Sequence, residues 1–184
     1  MEEVLNETKE RMEKTLKNLK TEFSRIRTGK ASPAILETIK VDYYGMPTPL
    51  IQIAGISVPE PRLLVIQPWD KNAIGEIEKA ILKSGLGLTP KIEGNVLKIP
   101  IPPLSMERRK ELIKLVRKLA EDSKVAIRNI RRDANEKLKA KKDNKEISED
   151  DLIRYQKKVQ EITDDYIKKI EEVLKKKEEE IEEE

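Results

Sequence analysis

The chain has 184 residues, 40% of them charged and 37% hydrophobic, yet its net charge is only +3. Long solvated helices explain that balance, and a uniformly basic nucleic-acid binder is excluded. It has no cysteine and no histidine, which removes disulfides, thiolate nucleophiles, imidazole bases and the usual zinc ligands; no enzyme, no cofactor and no metal are expected.

The N-terminus, Met-Glu-Glu-Val-Leu-Asn-Glu-Thr, lacks a basic region followed by an apolar one, and no run reaches the ~18 apolar residues of a membrane span. The expectation is a cytoplasmic protein that meets no membrane. Abundant Lys, Glu and Arg fit a thermophilic source.

From Glu3 to Arg27, Leu5, Met12, Leu16, Leu19, Phe23 and Ile26 recur at helical spacing. The helix should stop near Thr28-Gly29, where glycine can take the left-handed terminal conformation, before Ser32-Pro33. Proline and glycine then crowd the chain. Thr38–Tyr44 alternates like a half-buried strand, Gly45–Pro49 reads as a turn, and Leu50–Ile53 can pair back to form a hairpin. Arg62–Gln67 reads as a buried strand. Asp70 suits the N-cap of a helix carrying Ile74, Ile77, Ala80 and Ile81 to Lys83, ended by Gly85-Leu86-Gly87. Asn95–Ile101 reads as a further strand, at an edge or finishing at its prolines.

Ser105 then caps the longest element, a helix to about Lys142. Leu112, Val116, Leu119, Ser123, Ala126, Ile130, Ala134 and Leu138 follow one another in steps of three and four, so one face is buried. Lys110, Lys114, Arg117, Lys124, Arg128, Arg131 and Lys139, with Arg132 beside them, form a second stripe that we place opposite the first. At about 1.5 Å per residue the helix runs roughly 50 Å, so this is a charged rod suited to a polyanion. An ordinary solvated face is the plain alternative. Arginine at four of these places argues against it, because the planar guanidinium pairs bidentately with phosphate and stacks on bases.

Asp143-Asn144-Lys145 makes a turn, and Ser148–Asp151 resembles a capping box that opens a third helix, with Leu152, Tyr155, Val159, Ile162, Tyr166, Ile170, Val173 or Leu174, and Ile181 on its apolar side. Three such helices should bundle. The fold class is therefore α+β. A three-helix bundle from 1–29 and 105–184 carries an inserted β/α/β domain from 30–104, and Thr28-Gly29 and Pro102-Pro103-Leu104 serve as a two-strand hinge.

Other candidates have plainer explanations. Glu149-Asp150-Asp151 reads as a helix start and Asp164-Asp165 as a solvated pair. Tyr43, Tyr44 and Trp69 are expected in the core of the inserted domain, and the acidic end, Glu178–Glu180 and Glu182–Glu184, is given no site.

Four stretches carry a resemblance: Arg25–Pro33, Tyr43–Leu50, Pro102–Leu104 with Arg108-Arg109-Lys110, and Val125–Asn135. Together they resemble the bacterial ribosome recycling factor family, in order and over essentially the whole chain. That resemblance implies an L-shaped molecule with the outline of a tRNA. It further implies a factor that binds the ribosome after termination and, with elongation factor G and the GTP that partner hydrolyses, separates the subunits. By matching positions it implies that Arg27, Arg109, Arg128, Arg131 and Arg132 contact ribosomal RNA of the large subunit. The charged stripe adds Arg117 and Lys124. A monomer is expected. The rival readings are a structural or adaptor coiled-coil protein and a general RNA-binding module.

Overall fold

The computed structural model describes residues 1–182 as two compact units, one of Met1–Arg27 with the chain from Ser105, the other of Thr28–Leu104. The first is a bundle of α1 (Glu2–Ser24), α4 (Met106–Asp143) and α5 (Glu149–Glu182). Its core takes most of the predicted stripes: Met12, Leu16, Leu19 and Phe23 are buried on α1, Leu112, Val116, Ile130, Ala134 and Leu138 on α4, and Leu152, Val159, Tyr166, Ile170 and Ile181 on α5. Two polar side chains that are buried among the described residues, Thr8 and Thr163, satisfy themselves on the carbonyls of Val4 and Val159, one turn back.

The helix ends show local chemistry at work. Ser105 Oγ accepts from Arg108 N–H at 3.1 Å, starting α4. Ser148 and Asp151 cap each other, with Ser148 Oγ accepting from Asp151 N–H and the Asp151 carboxylate from Ser148 N–H. Between them α4 closes in a Schellman turn. Glu146 N–H reaches the Lys141 carbonyl and Lys145 N–H that of Lys142, with Lys145 in the left-handed place (φ +61) that usually falls to glycine.

α1 ends three residues before the predicted Arg27. Arg25 and Ile26 donate to carbonyls three residues back, and Ser24 Oγ bonds to the Thr21 carbonyl, so the last turn tightens and stops. Gly29 (φ +82) is left-handed for another reason: a Cβ there would lie 3.2 Å from Leu104 Cγ, where the two ends of the second unit meet.

The second unit contains β1 (Lys40–Tyr43), β2 (Met46–Pro49), α2 (Leu50–Ile53), β3 (Ala54–Glu60), β4 (Leu63–Pro68), α3 (Ile74–Lys83), β5 (Lys91–Glu93) and β6 (Val96–Pro100). β1 and β2 form a hairpin; the other strands make an antiparallel sheet in the order β3-β4-β6-β5. Leu64 and Ile66 sit opposite Ile99 and Leu97 on its inner face, beneath Ile77 and Ile81 of α3. The Asp70 carboxylate accepts from Asn72 N–H, opening a short 3-10 turn that leads into α3.

The hairpin differs from expectation. Its return strand is Met46–Pro49, read from sequence as turn, and the turn is Tyr44-Gly45, both at positive φ. Leu50–Ile53 is one helical turn because Leu50 and Ile53, three apart, are both buried while Ile51 and Gln52 face water. β6 is an internal strand, and it is consistent with its proline only because Pro100 stands at its end.

Candidate nucleic-acid interface

The basic stripe of α4 flanks the buried face. With 3.6 residues per turn, its members centre roughly a third of a turn from the middle of the buried stripe, not half a turn as predicted. In mid-helix the core runs through Ala120 and Ile127, leaving Leu119, Ser123 and Ala126 half-buried. Steps of three and four permit either path, and packing against two neighbours selects one.

The flank that carries the cations faces α5. Arg117 Nε donates to Glu178 at 2.7 Å and Lys124 Nζ to Glu171 at 3.3 Å, while Arg128 meets Glu121 of its own helix at 3.3 Å. On the other flank Asp133 and Lys137 pair with Arg11 and Glu7 of α1 at 3.0 and 2.7 Å. α4 is thus laced to both neighbours by charge, in surface pairs that solvent and salt screen.

These pairs sort the predicted contacts. Lys124 is poorly reachable, its side chain only 17% exposed and turned to Glu171. Arg117 is 62% exposed, so a phosphate could take it from Glu178 at small cost. Its hydrogen bond to Glu178 raises its pKa further, which keeps the guanidinium charged. Among the described residues Arg131, half-buried, and Arg132, exposed, make no ion pair, nor do Lys110, Lys114 and Lys139. Arg109 is half-buried on the core-facing side of α4, its Nε shielded from water and without a partner. From Arg109 to Arg131 is roughly 33 Å along the helix, so the cations form a strip rather than a pocket.

Arg27 is exposed just beyond α1, and the register of the Arg11–Asp133 and Lys137–Glu7 pairs puts that end of α1 level with Arg117. Thr28, Gly29 and Leu104 are half-buried in the second unit, Pro102 and Pro103 exposed. The remaining acidic candidates have structural duties: Glu149 pairs with Lys142, Asp151 caps, Asp164 accepts from Gln160, and Asp165 pairs with Lys169. Among the described residues no cluster of His, Cys, Asp or Glu could hold a metal, and no helix is long and apolar enough to cross a membrane. Glu183 and Glu184 of the acidic end lie outside the described residues.

Two features escaped sequence reading. The acceptors Glu171 and Glu178, two turns apart on α5, become visible only once the helix register is known. The aromatics were misplaced: Tyr44 and Trp69, expected in the core, are 74% and 71% exposed. Tyr44 stands in the hairpin turn, and Trp69 lies over Gly55 at the end of β4, so neither points inward.

A family profile described as ribosome recycling factor matches residues 19–181. The chain belongs to the ribosome recycling factor family. It is 57% identical to the ribosome-recycling factor of Natranaerobius thermophilus and 56% identical to that of a Geobacillus species, each over 181 residues covering 98% of both chains. A solution structure of the ribosome recycling factor matches with a TM-score of 0.74 at 42% identity, covering 98% of this chain and 96% of that one. The T. thermophilus ribosome recycling factor, described together with E. coli elongation factor G bound to the E. coli post-termination complex, matches with a TM-score of 0.63 at 48% identity, covering 98% and 97%. The α+β architecture of bundle and small strand-rich unit is that of the ribosome recycling factor family.

Proposed function

We propose that this chain is a cytoplasmic, non-enzymatic translation factor that binds the post-termination ribosome and, with elongation factor G and the GTP that partner hydrolyses, separates the subunits. The basic strip of α4 binds ribosomal RNA of the large subunit. The observation that carries this is the pair Arg131 and Arg132, guanidinium groups that make no ion pair among the described residues, on a helix where Arg117, Lys124 and Arg128 are each met by a carboxylate. An arginine already engaged in an ion pair must exchange partners to bind phosphate; an unpaired one does not. Arg128 adds to them, Arg109 is half-buried with its Nε shielded from water, and Arg27 and Arg117 extend the strip, while Lys124 contributes field more than contact. A strip that reads phosphate spacing suits folded RNA, whose deep major groove hides base edges. Thr28-Gly29 and Pro102-Pro103-Leu104 act as the hinge about which elongation factor G moves the inserted unit.

The test is binding to isolated bacterial large subunits across a salt series, beside Arg128→Ala/Arg131→Ala/Arg132→Ala. Saturable binding is expected, with a log-log salt slope that shrinks by roughly 0.7–0.9 for each lost phosphate contact. Arg132→Glu, on the exposed side, should weaken binding with helicity intact. Binding indifferent to all of these substitutions returns the strip to plain solvation.

A further inference from the structure

The ion pairs that join α4 to α5 recur with a seven-residue step, and the series breaks at Arg131. Arg117, Lys124 and Arg131 stand seven apart on one flank of α4; Glu178, Glu171 and Asp164 stand seven apart on the edge of the antiparallel α5 that runs beside it. The rungs of this ladder are about 10.5 Å apart along the helix. Two are closed, Arg117 Nε on Glu178 at 2.7 Å and Lys124 Nζ on Glu171 at 3.3 Å. The third is open. Asp164 accepts from Gln160 at 2.8 Å instead, and neither it nor Arg131 makes an ion pair among the described residues.

Other charges on these two surfaces sharpen the pattern. Along α5, Lys168 and Lys175 alternate with the three acids and Glu182 lies beyond them, so the edge is acidic on balance beside Arg117 and nearer neutral beside Arg131. On α4, Arg128 is met by Glu121 of its own helix at 3.3 Å, whereas Lys110 and Lys114 at one end and Arg132 and Lys139 at the other make no ion pair among the described residues. The strip is free at both ends and occupied in the middle. Within the pair Arg117–Glu178 the two partners differ: the arginine side chain is 62% exposed and the glutamate 22%. The base can swing out while the acid stays.

We propose, on the reading of the strip as a contact for ribosomal RNA, that Glu178 is a specificity-determining residue. It occupies Arg117 as an internal stand-in for phosphate and yields it only to a folded RNA already held at both free ends. Such an RNA spans the roughly 25 Å from Lys114 to Arg131 and carries its phosphates over the occupied middle at high effective concentration. A flexible strand caught at one end has to order further nucleotides before it can displace the carboxylate, and that entropy opposes the exchange. A weak pair suits the role. Solvent screens it enough for a positioned phosphate to win, and the Lys124–Glu171 rung keeps α5 in the register that sets Glu178 against Arg117.

The experiment measures binding of a single-stranded oligouridylate and of isolated bacterial large subunits across a salt series, for the native chain, Glu178→Gln, Glu179→Gln and Arg117→Ala. In Glu178→Gln the oligouridylate log-log slope is expected to steepen by roughly 0.7, one added single-strand contact, while the large-subunit slope is unchanged because Arg117 is already engaged there. Arg117→Ala, which leaves α5 intact, should do the reverse: an unchanged oligouridylate slope and a large-subunit slope that shrinks by roughly 0.7–0.9. Glu179→Gln removes the same charge one residue away, from an exposed acid with no ion pair among the described residues, and should move neither slope. An unchanged oligouridylate slope in Glu178→Gln, equal steepening for both RNAs, equal flattening of both by Arg117→Ala, or a Glu179→Gln that matches Glu178→Gln overturns the role of Glu178 alone. A native chain that does not bind large subunits saturably overturns the functional reading and this role with it.

Discussion

The two units keep their sensitive groups in opposite ways. In the bundle, charge is outside and partly matched: α4 is tied to α1 through Asp133 and Lys137 and to α5 through Arg117 and Lys124, while Arg131 and Arg132 are among the cations that make no ion pair among the described residues. In the strand-rich unit the rings of Tyr44 and Trp69 stand in water. Unmatched cations mark one region and exposed aromatics the other, so what packing leaves unconsumed is a different residue type in each unit.

The strongest probe is the core. Leu97 is fully buried on β6 opposite Ile66, so Leu97→Ala should destabilise the strand-rich unit by about 2–5 kcal/mol. Hydrogen exchange of β4 and β6 should accelerate while that of α4 and α5 stays slow; equal acceleration in both units would show that they unfold together.

Next is pH. Tyr166 in the bundle is held protonated by burial and by its 2.7 Å bond to Glu13, which push its pKa from 10.0 to about 12. A raised pKa means that the folded state keeps its proton longer than the unfolded state. The contribution is therefore complete below pH 10 and lost as pH rises toward about 12. Melting temperature should fall across that window in the native chain and fall less in Tyr166→Phe. Parallel curves would remove Tyr166 as the cause.

A smaller effect is expected at Lys145. Glycine meets its left-handed conformation without the Cβ clash, so Lys145→Gly should stabilise the bundle by roughly 0.5–1 kcal/mol, read from denaturant midpoints. The weakest and most specific probe is Glu178→Gln. Freeing Arg117 from its ion pair should tighten large-subunit binding by about twofold to fivefold at low salt, within the modest worth of an exposed pair. Weaker binding would place Arg117 outside the RNA contact.

Much of this was legible in the residues. Long amphipathic helices announce themselves because each buried position repeats several times, and Ser105, Asp70 and the Ser148/Asp151 pair act on amides two or three residues away. What failed was short or non-local. β5 has three residues, all exposed, and β3 buries only Ala54 at its start, so neither leaves a period to read. β2 contains Pro47 and Pro49, which mimic a turn. The basic stripe was recognisable, but which of its members are engaged depends on α5, brought alongside by the turn at Asn144–Lys145. Exposure of Trp69 follows from Gly55, a residue distant in sequence whose missing side chain lets the indole lie across the strand.

The backbone at the β3–β4 turn has a wider meaning. Ala31 N–H bonds to the Pro61 carbonyl at 2.7 Å and Ile101 N–H to the neighbouring Arg62 carbonyl at 2.8 Å, while Gly29 packs on Leu104. The chain therefore enters and leaves the strand-rich unit side by side, as through the two pins of a plug. Once that unit has folded, the link from α1 to α4 acts as a connector of a few residues, because the entropy of closing a loop depends on the free chain between its ends. The insert is a cassette. A short flexible splice in place of 28–104 should leave a three-helix protein that folds by itself, and unrelated domains with adjacent termini could be seated in the same socket.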